Sequence, residues 1–429
     1  MESPSVIKEA LIHYVWKTRQ FDHNDLTLTD GRKLSIHDYG SQNSDAGPDF
    51  SNGKISIENI QWAGNIEMHS ASSMWIKHGH GDDPAYNNVV LHVVYEDDLP
   101  VKRKEGSRIP TLELKGRINH KIKENYARLI SGSTWIPCEK LIHQVDAFKV
   151  KLWIEKVAIE RLERKTSHIY QLLEQCNDDW EQACFVLLSR YLGSRVNVLP
   201  MELMSKQCDV KILYKNSDNL NTIEAILFGI SGLLNSPYKD EYPNTLKNEF
   251  EFYRRKYLLK NINPVSWKFA RMRPFNFPTL RIAQLSSLLH NKRFLFRSFV
   301  EAEDTAAIKP LLQAKASEYW DTHYRFDEES KMQEKRLGNT MIDLIIINVI
   351  APLIFVYGQY LSDEKLKEKA LNFLEQVPAE SNNITRKWVK LGLQNENALS
   401  SQSLIQLKQE YCDLKRCLEC SIGNELIRF

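Results

Sequence analysis

The chain has 429 residues, 42% of them hydrophobic and 26% charged, with a formal net charge of +2. That length exceeds one simple core and fits two or three domains, and that balance excludes wholesale disorder. A near-neutral total selects no partner, so recognition by charge must rest on local clusters.

Residues 4–17 place Ile7, Leu11, Tyr14 and Val15 at helical spacing, with Ser3 or Ser5 as a cap. Charges interrupt this segment, so it lacks the apolar core of a signal peptide. "LTLTDGRKLSIHDYG" predicts a hairpin turning at Asp30-Gly31, and "DFSNGKISIENI" a second strand region with an Asn-Gly turn. "QWAGNIEMHS" reads as a third strand and "SSMWIKHGH" as a short helix. "NNVVLHVVYEDD" is apolar on both faces, as a central strand is, and "TLELKGRI" follows as one more strand beyond a basic loop. From about Val145 the pattern is helical, beginning with one long helix in "DAFKVKLWIEKVAIERLERKTSHIYQLLEQC". The order predicts an α+β protein: a mixed sheet with flanking helices over 1–144, then a large all-α domain over 145–429.

The most apolar run, Met341–Gly358, contains Asp343, Asn348 and Pro352 and is short for a bilayer span. It predicts a buried core helix and no membrane partner. Seven cysteines without a dense framework point to a reducing compartment, with cytoplasmic location as the expectation. No Walker-type loop or dinucleotide fingerprint occurs, so no nucleotide cofactor is expected.

Glu67 and His69 are two residues apart on a predicted strand and so share a face, with Asp49 at the start of the preceding strand. A hairpin would bring the two carboxylates together, and a divalent cation would relieve their repulsion. Mg²⁺ or Mn²⁺ suits such oxygen donors, leaving His69 to orient or deprotonate water. This pattern resembles the PD-(D/E)XK nuclease superfamily over roughly residues 5–98. The matching residues are Pro48-Asp49 and Glu67-Met68-His69, with His in place of the family's Lys. The resemblance implies a helix, three strands, a helix and another strand, and phosphodiester hydrolysis. It also implies an assisting acid on the first helix, for which Glu9 is the candidate. A competing register is Glu113-Leu114-Lys115 with Asp97 or Asp98 upstream. Over nearly its full length the chain also resembles an uncharacterised bacterial family of unknown function. "GPDF", "GNIEMHSASSMWIKHGH", "YNNVVLHVV", "RPFNFPTLRIAQL" and "YCDLKRCLECSIGNELI" carry that resemblance.

His69, His78, His80 and His92 form a second grouping, and His78-Gly79-His80 is a spacing at which two imidazoles can reach one zinc ion. His92 sits in an apolar strand, where a hydrogen-bonded core histidine is the ordinary reading. Cations cluster twice: Val101–Lys123 has eight Lys or Arg against two Glu, and Lys247–Arg297 twelve against two. Lys102, Arg103, Lys104, Arg254, Arg255, Lys268, Arg271 and Arg273 are the candidates for DNA or RNA contact, with interleaved aromatics for stacking. Cys412, Cys417 and Cys420 would bind zinc or an iron–sulfur cluster only with a fourth ligand. Cys417 and Cys420 would neighbour each other on a helix, and Cys138, Cys176, Cys184 or Cys208 could supply a fourth ligand only by folding back.

The sequence therefore predicts a metal-dependent nuclease-like protein acting on DNA or RNA. The alternatives are a catalytically degenerate nucleic-acid-binding module and a zinc-dependent hydrolase built on His69, His78 and His80.

Overall fold

Helix α1 spans Glu9–Lys17 in the computed structural model of the chain, which describes residues 8–43 and 45–428. Its expected caps, Ser3 and Ser5, lie outside the described residues. The helix buries Leu11, Ile12, Val15 and Trp16, and the Trp16 indole donates to the Tyr39 carbonyl at 3.0 Å.

The strands follow from alternation. They are β1 (Leu34–Asp38), β2 (Ser41–Gln42), β3 (Phe50–Ile57), β4 (Ile60–Ala71), β5 (Val89–Glu96) and β6 (Thr111–Glu113). They order as β1-β3-β4-β5-β6, with β2 also on β3. The β1–β3 and β3–β4 pairs are antiparallel, whereas β4–β5 and β5–β6 are parallel. Parallel pairing needs a crossover, and the crossover from β4 to β5 carries the short helix α2 (Met74–Lys77). Strand β5 is central and fully buried from Val89 to Val94, which is why it reads as a continuous apolar run.

The turn at Asp30-Gly31 forms, with Gly31 at φ +90° and the Leu28 amide donating to the Arg32 carbonyl at 2.9 Å. Asn52-Gly53, expected as a turn, is instead a bulge inside β3. The β3–β4 register shifts between Phe50 and Gly53, and Asn52 takes φ +60°. The chain reverses later, at Glu58-Asn59 between β3 and β4. The helix α3 (His120–Ser131), capped by the Asn119 side chain, is absent from the sequence reading. Its apolar face is only Ile122, Tyr126 and Leu129 among many cations.

The chain divides into two compact units: Met1–Trp153 with Leu407–Phe429, and Ile154–Gln406. The sequence boundary at 144/145 runs the helical domain to the end of the chain, whereas the last segment here belongs with the first unit. The second unit is helical, apart from a ribbon of β7 (His323–Arg325) and β8 (Glu328–Glu329). Its longest apolar helix, Asn339–Leu361, has the length and composition of a membrane span, yet 72% of its apolar window is buried inside the protein. Asn348 on it accepts from Lys165 Nζ at 3.2 Å and donates to the Tyr191 hydroxyl at 3.1 Å. It is a core helix, as its Asp, Asn and Pro suggest. A π-helical turn occupies Ile346–Ile350, just before Pro352, a residue with no amide hydrogen to donate.

Candidate metal centre

Asp49 immediately precedes β3, and Glu67 lies directly across on β4. The two brace each other through the backbone. The Asp49 amide donates to Glu67 Oε2 at 3.1 Å, and the Met68 amide donates to Asp49 Oδ2 at 2.9 Å. Strand alternation turns Glu67 and His69 to the same face. The parallel register sets His92 opposite Glu67, and His69 Nδ1 lies 2.8 Å from His92 Nε2.

The other two imidazoles arrive through a helix ending. At the end of α2 the His80 amide donates to the Trp75 carbonyl and the Gly79 amide to the Ile76 carbonyl, at 3.2 and 3.0 Å. This is the Schellman closure, and it requires a left-handed residue, supplied by Gly79 at φ +75°. The reversal carries His78 and His80 back onto His69, and His80 stacks on Tyr86 with ring centroids 3.8 Å apart. A Cβ at position 79 would meet nothing within 4 Å. Gly79→Ala should therefore lose only the left-handed penalty, about 1–2 kcal/mol. We expect it to fold while binding metal more weakly, as isothermal titration of the two proteins would measure.

Three imidazole donors come together, with a Glu67 oxygen beside two of them. His69 Nε2 is 3.2 Å from His78 Nδ1 and 3.6 Å from Glu67 Oε1, and His80 Nε2 is 3.3 Å from the same oxygen. The ligand atoms of His69, His78 and His80 all lie within 4.8 Å of one another. In a tetrahedral site with donors about 2.1 Å from the cation, neighbouring donors sit roughly 3.4 Å apart. His80 Nε2 is buried without hydrogen-bond geometry to any partner, although Glu67 stands beside it. A buried nitrogen left in that state is costly, and a cation among the four donors would satisfy it.

The electrostatics of the metal-free protein agree. Burial, then the nearby Asp49 charge, pushes the Glu67 carboxyl up to about 8. Burial, then His92 and His80, pulls His69 down to about 2, and burial likewise lowers His80 and takes His92 to about 4. Burial thus favours the neutral, ligating form of His69, His80 and His92. If His69 presents the Nε2 lone pair, its Nδ1–H donates to His92 Nε2, which assigns His92 to orienting that ring.

The structure brings together His69, His78 and His80, the group on which the zinc alternative rests, while Asp49 and Glu67, the pair expected to hold Mg²⁺ or Mn²⁺, lie side by side next to it. Here His69 stands among the donors, and Asp49 Oδ2 faces His13 Nε2 at 3.2 Å. His13 on α1 is absent from the sequence reading. Its spacing of four from Glu9, on one helical face, is the signal that could have found it. Glu9 is near enough to raise the Glu67 pKa.

In the competing register, Glu113 Oε2 accepts the Asp97 amide at 2.8 Å and Lys115 pairs with Glu96 at 2.5 Å. Asp97 meets Arg108 at 3.3 Å, and Asp98 accepts from the Ser72 hydroxyl and from the amide and hydroxyl of Ser73. These groups are engaged in holding strand ends and loops.

Among the basic candidates, Arg103 donates to the Asn87 and Val89 carbonyls at 3.1 and 2.6 Å, so its guanidinium pins the loop. Lys102 is exposed, and exposed Lys104 lies 3.9 Å from Asp82, just beyond His80. In the second unit Arg254 is exposed but bound to Glu251 Oε2, whereas Arg255, Lys268, Arg271 and Arg273 are exposed. Arg281 is buried against Gln284 and Asn276, two amides rather than acids. Phe250, Trp267 and Phe296 are core residues, and Phe252, Phe275 and Phe294 are exposed.

Fold and site together define an α+β protein with a histidine-rich candidate metal centre on its mixed sheet. The chain belongs to the family described as protein of unknown function (DUF2851), which it matches over residues 9–383. Neither the curated proteins nor the solved structures gave a match.

Proposed function

We propose that this protein is a metal-dependent hydrolase that cleaves phosphodiesters in DNA or RNA, its cation held by Glu67, His69, His78 and His80. The observation that carries this reading is the grouping of three imidazole nitrogens within 4.8 Å of one another, with a Glu67 oxygen beside two of them and Asp49 next to Glu67. A donor set rich in imidazole favours zinc, or manganese and iron, over magnesium. A bound cation supplies Lewis-acid polarisation of a phosphoryl oxygen and neutralises developing charge.

The remaining chemistry falls to the chain's own groups. Asp49 is held by the Met68 amide with its side chain a quarter exposed, placed to accept a proton from an attacking water. His13, 3.2 Å from it, is placed to pass that proton outward. Anionic substrate is favoured by the basic hairpin: Arg103 pins it to the strand start, and Lys102 and Lys104 remain exposed, Lys104 lying 3.9 Å from Asp82. The element order runs α1, β1, β2, β3, β4, α2, β5, which contains a helix, strands, a helix and a strand in the sequence that the nuclease resemblance implies, with the short β2 added.

The test is cleavage of single- and double-stranded DNA and RNA with zinc, manganese or magnesium. Asp49→Asn and Glu67→Gln should each reduce turnover by at least ~100-fold. Asp49→Asn should retain the metal and Glu67→Gln should lose it. Cleavage that survives Glu67→Gln would sink the proposal. Salt-sensitive binding without cleavage by any of the metals would replace it with a binding module.

A further inference from the structure

Three of the seven cysteines lie within nine residues, at Cys412, Cys417 and Cys420, and the fold brings a fourth to them. The segment that carries them sits on the stretch 130–142 of the first unit. Lys415 Nζ donates to the Ile130 carbonyl at 2.6 Å, and Lys408 Nζ stands 5.4 Å over the Trp135 ring. The helix Ser421–Arg428 packs on α3 and on the turn Ile142–Gln144. Cys138 lies at the head of that turn, its carbonyl accepting the Leu141 and Ile142 amides at 2.9 and 2.8 Å.

The three C-terminal cysteines are not on a regular α-helix. Cys412 closes a π-helical turn, and Cys417 to Cys420 form a turn before the last helix begins. Gly423 packs so tightly that a Cβ there would lie 2.2 Å from the Cys417 carbonyl oxygen. The helix start is thereby wrapped onto the Cys-x-x-Cys turn. Cys138, Cys417 and Cys420 are buried, and none of the four forms a disulfide.

We propose that Cys138, Cys412, Cys417 and Cys420 form a second metal centre, a four-thiolate site taking one zinc ion or a small iron–sulfur cluster. The thiols act on one another: Cys138 feels Cys420 and Cys417, and Cys412 feels Cys138, Cys420 and Cys417. Burial first, then these neighbours, pushes the Cys138 and Cys417 thiols up to about 12. A cation reverses that balance, because ligation deprotonates the thiols and releases their protons to solvent. Lys408 and Lys415 stand where they offset the remaining negative charge, each lowering one of the cysteines. The spacing of four and two residues in the C-terminal loop, closed by one distant residue, is a form that thiolate centres take. The centre would tie the C-terminal segment to the loop after α3, a structural role independent of the histidine centre.

The experiment uses full-length His78→Ala/His80→Ala protein, so that the histidine centre holds no metal. The protein is reduced, stripped with chelator and reconstituted without oxygen, in one arm with zinc and in the other with ferric iron, sulfide and a dithiol, which supplies the electrons for the ferrous share. One zinc per chain, or iron and sulfide in equal amounts with a visible charge-transfer band, is expected. Cys138→Ser and Cys417→Ser should abolish it, whereas Cys184→Ser and Cys208→Ser, buried in the second unit, should not. Failure of both arms overturns the proposal, and so does full retention by Cys138→Ser. Should the Cys138 variant not fold, native thiol titration of the His78→Ala/His80→Ala protein decides. Four thiols unmasked by chelator support the centre, and an unchanged count overturns it.

Discussion

Replacing His78 and His80 together by alanine is expected to abolish metal binding at the sheet while leaving the metal-free protein as stable as before. Two of the four converging donors disappear, so affinity should fall by well over the ~100-fold reached when a supporting residue alone is lost. The fold should be indifferent, because His78 is exposed and the α2 ending depends on backbone bonds and Gly79 rather than on either ring. A ligand at one hundred times its Kd raises stability by about 2.7 kcal/mol. Wild-type protein should therefore melt at higher temperature when zinc or manganese is added, and the variant should not. Because the cysteine group also attracts such metals, the comparison belongs in a Cys417→Ser background. Equal metal-induced shifts in the two proteins would remove the histidine centre from consideration.

The second large effect concerns pH and the second unit. Glu224 is fully buried on the helix Leu220–Ile230, where Oε2 accepts the Tyr242 hydroxyl at 2.8 Å and Oε1 the Ser317 hydroxyl at 2.9 Å. Burial raises its pKa to about 7, against the pull of those hydroxyls. A carboxyl whose pKa is raised in the folded state contributes most below its unfolded value, near 4.3, and loses that contribution as pH rises through 7. Stability should fall across that window by up to ~3 kcal/mol.

Glu224→Gln should remove the slope. The amide can donate to Ser317 Oγ, Ser317 can donate to the Tyr242 oxygen 3.2 Å away, and Tyr242 can donate back to the amide oxygen. Every polar group in that ring keeps a partner, so at pH 8 the variant should exceed wild type by ~2–3 kcal/mol in urea denaturation. At pH 4 the two should be nearly equal. Parallel stability curves from pH 4 to 8 would refute the assignment. Glu224→Leu, which removes the acceptor of both hydroxyls and leaves at least one of them without one, should instead destabilise at every pH by ~2–4 kcal/mol.

Both sites depend on residues whose partners are far along the chain, and this sets how much could be read beforehand. Asp49, Glu67, His69, His78 and His80 were legible as candidates because strand alternation and short spacings are local. Their division into donors and a neighbouring acid was not. That division depends on how a four-residue helix ends and on which rotamer Glu67 adopts across a hairpin. His13 was hidden because an ordinary histidine on an amphipathic helix carries no signal until that helix is laid against β3 and β4. Asn52-Gly53 misled because the dipeptide favours a turn and a bulge for the same reason, its tolerance of positive φ.

The amino-acid sequence by itself determined the α+β order, the central position of β5, the burial of the long apolar helix and the shortlist of chemical residues. Each of these follows from periodicity within a dozen neighbours. Only the tertiary structure decided that three imidazoles lie together with a Glu67 oxygen beside two of them, that Arg103 serves the loop, and that Cys138 stands with cysteines 274 or more positions away. Such meetings are fixed by packing between elements, where burial and the pairing of polar groups select one arrangement from many that the local pattern allows.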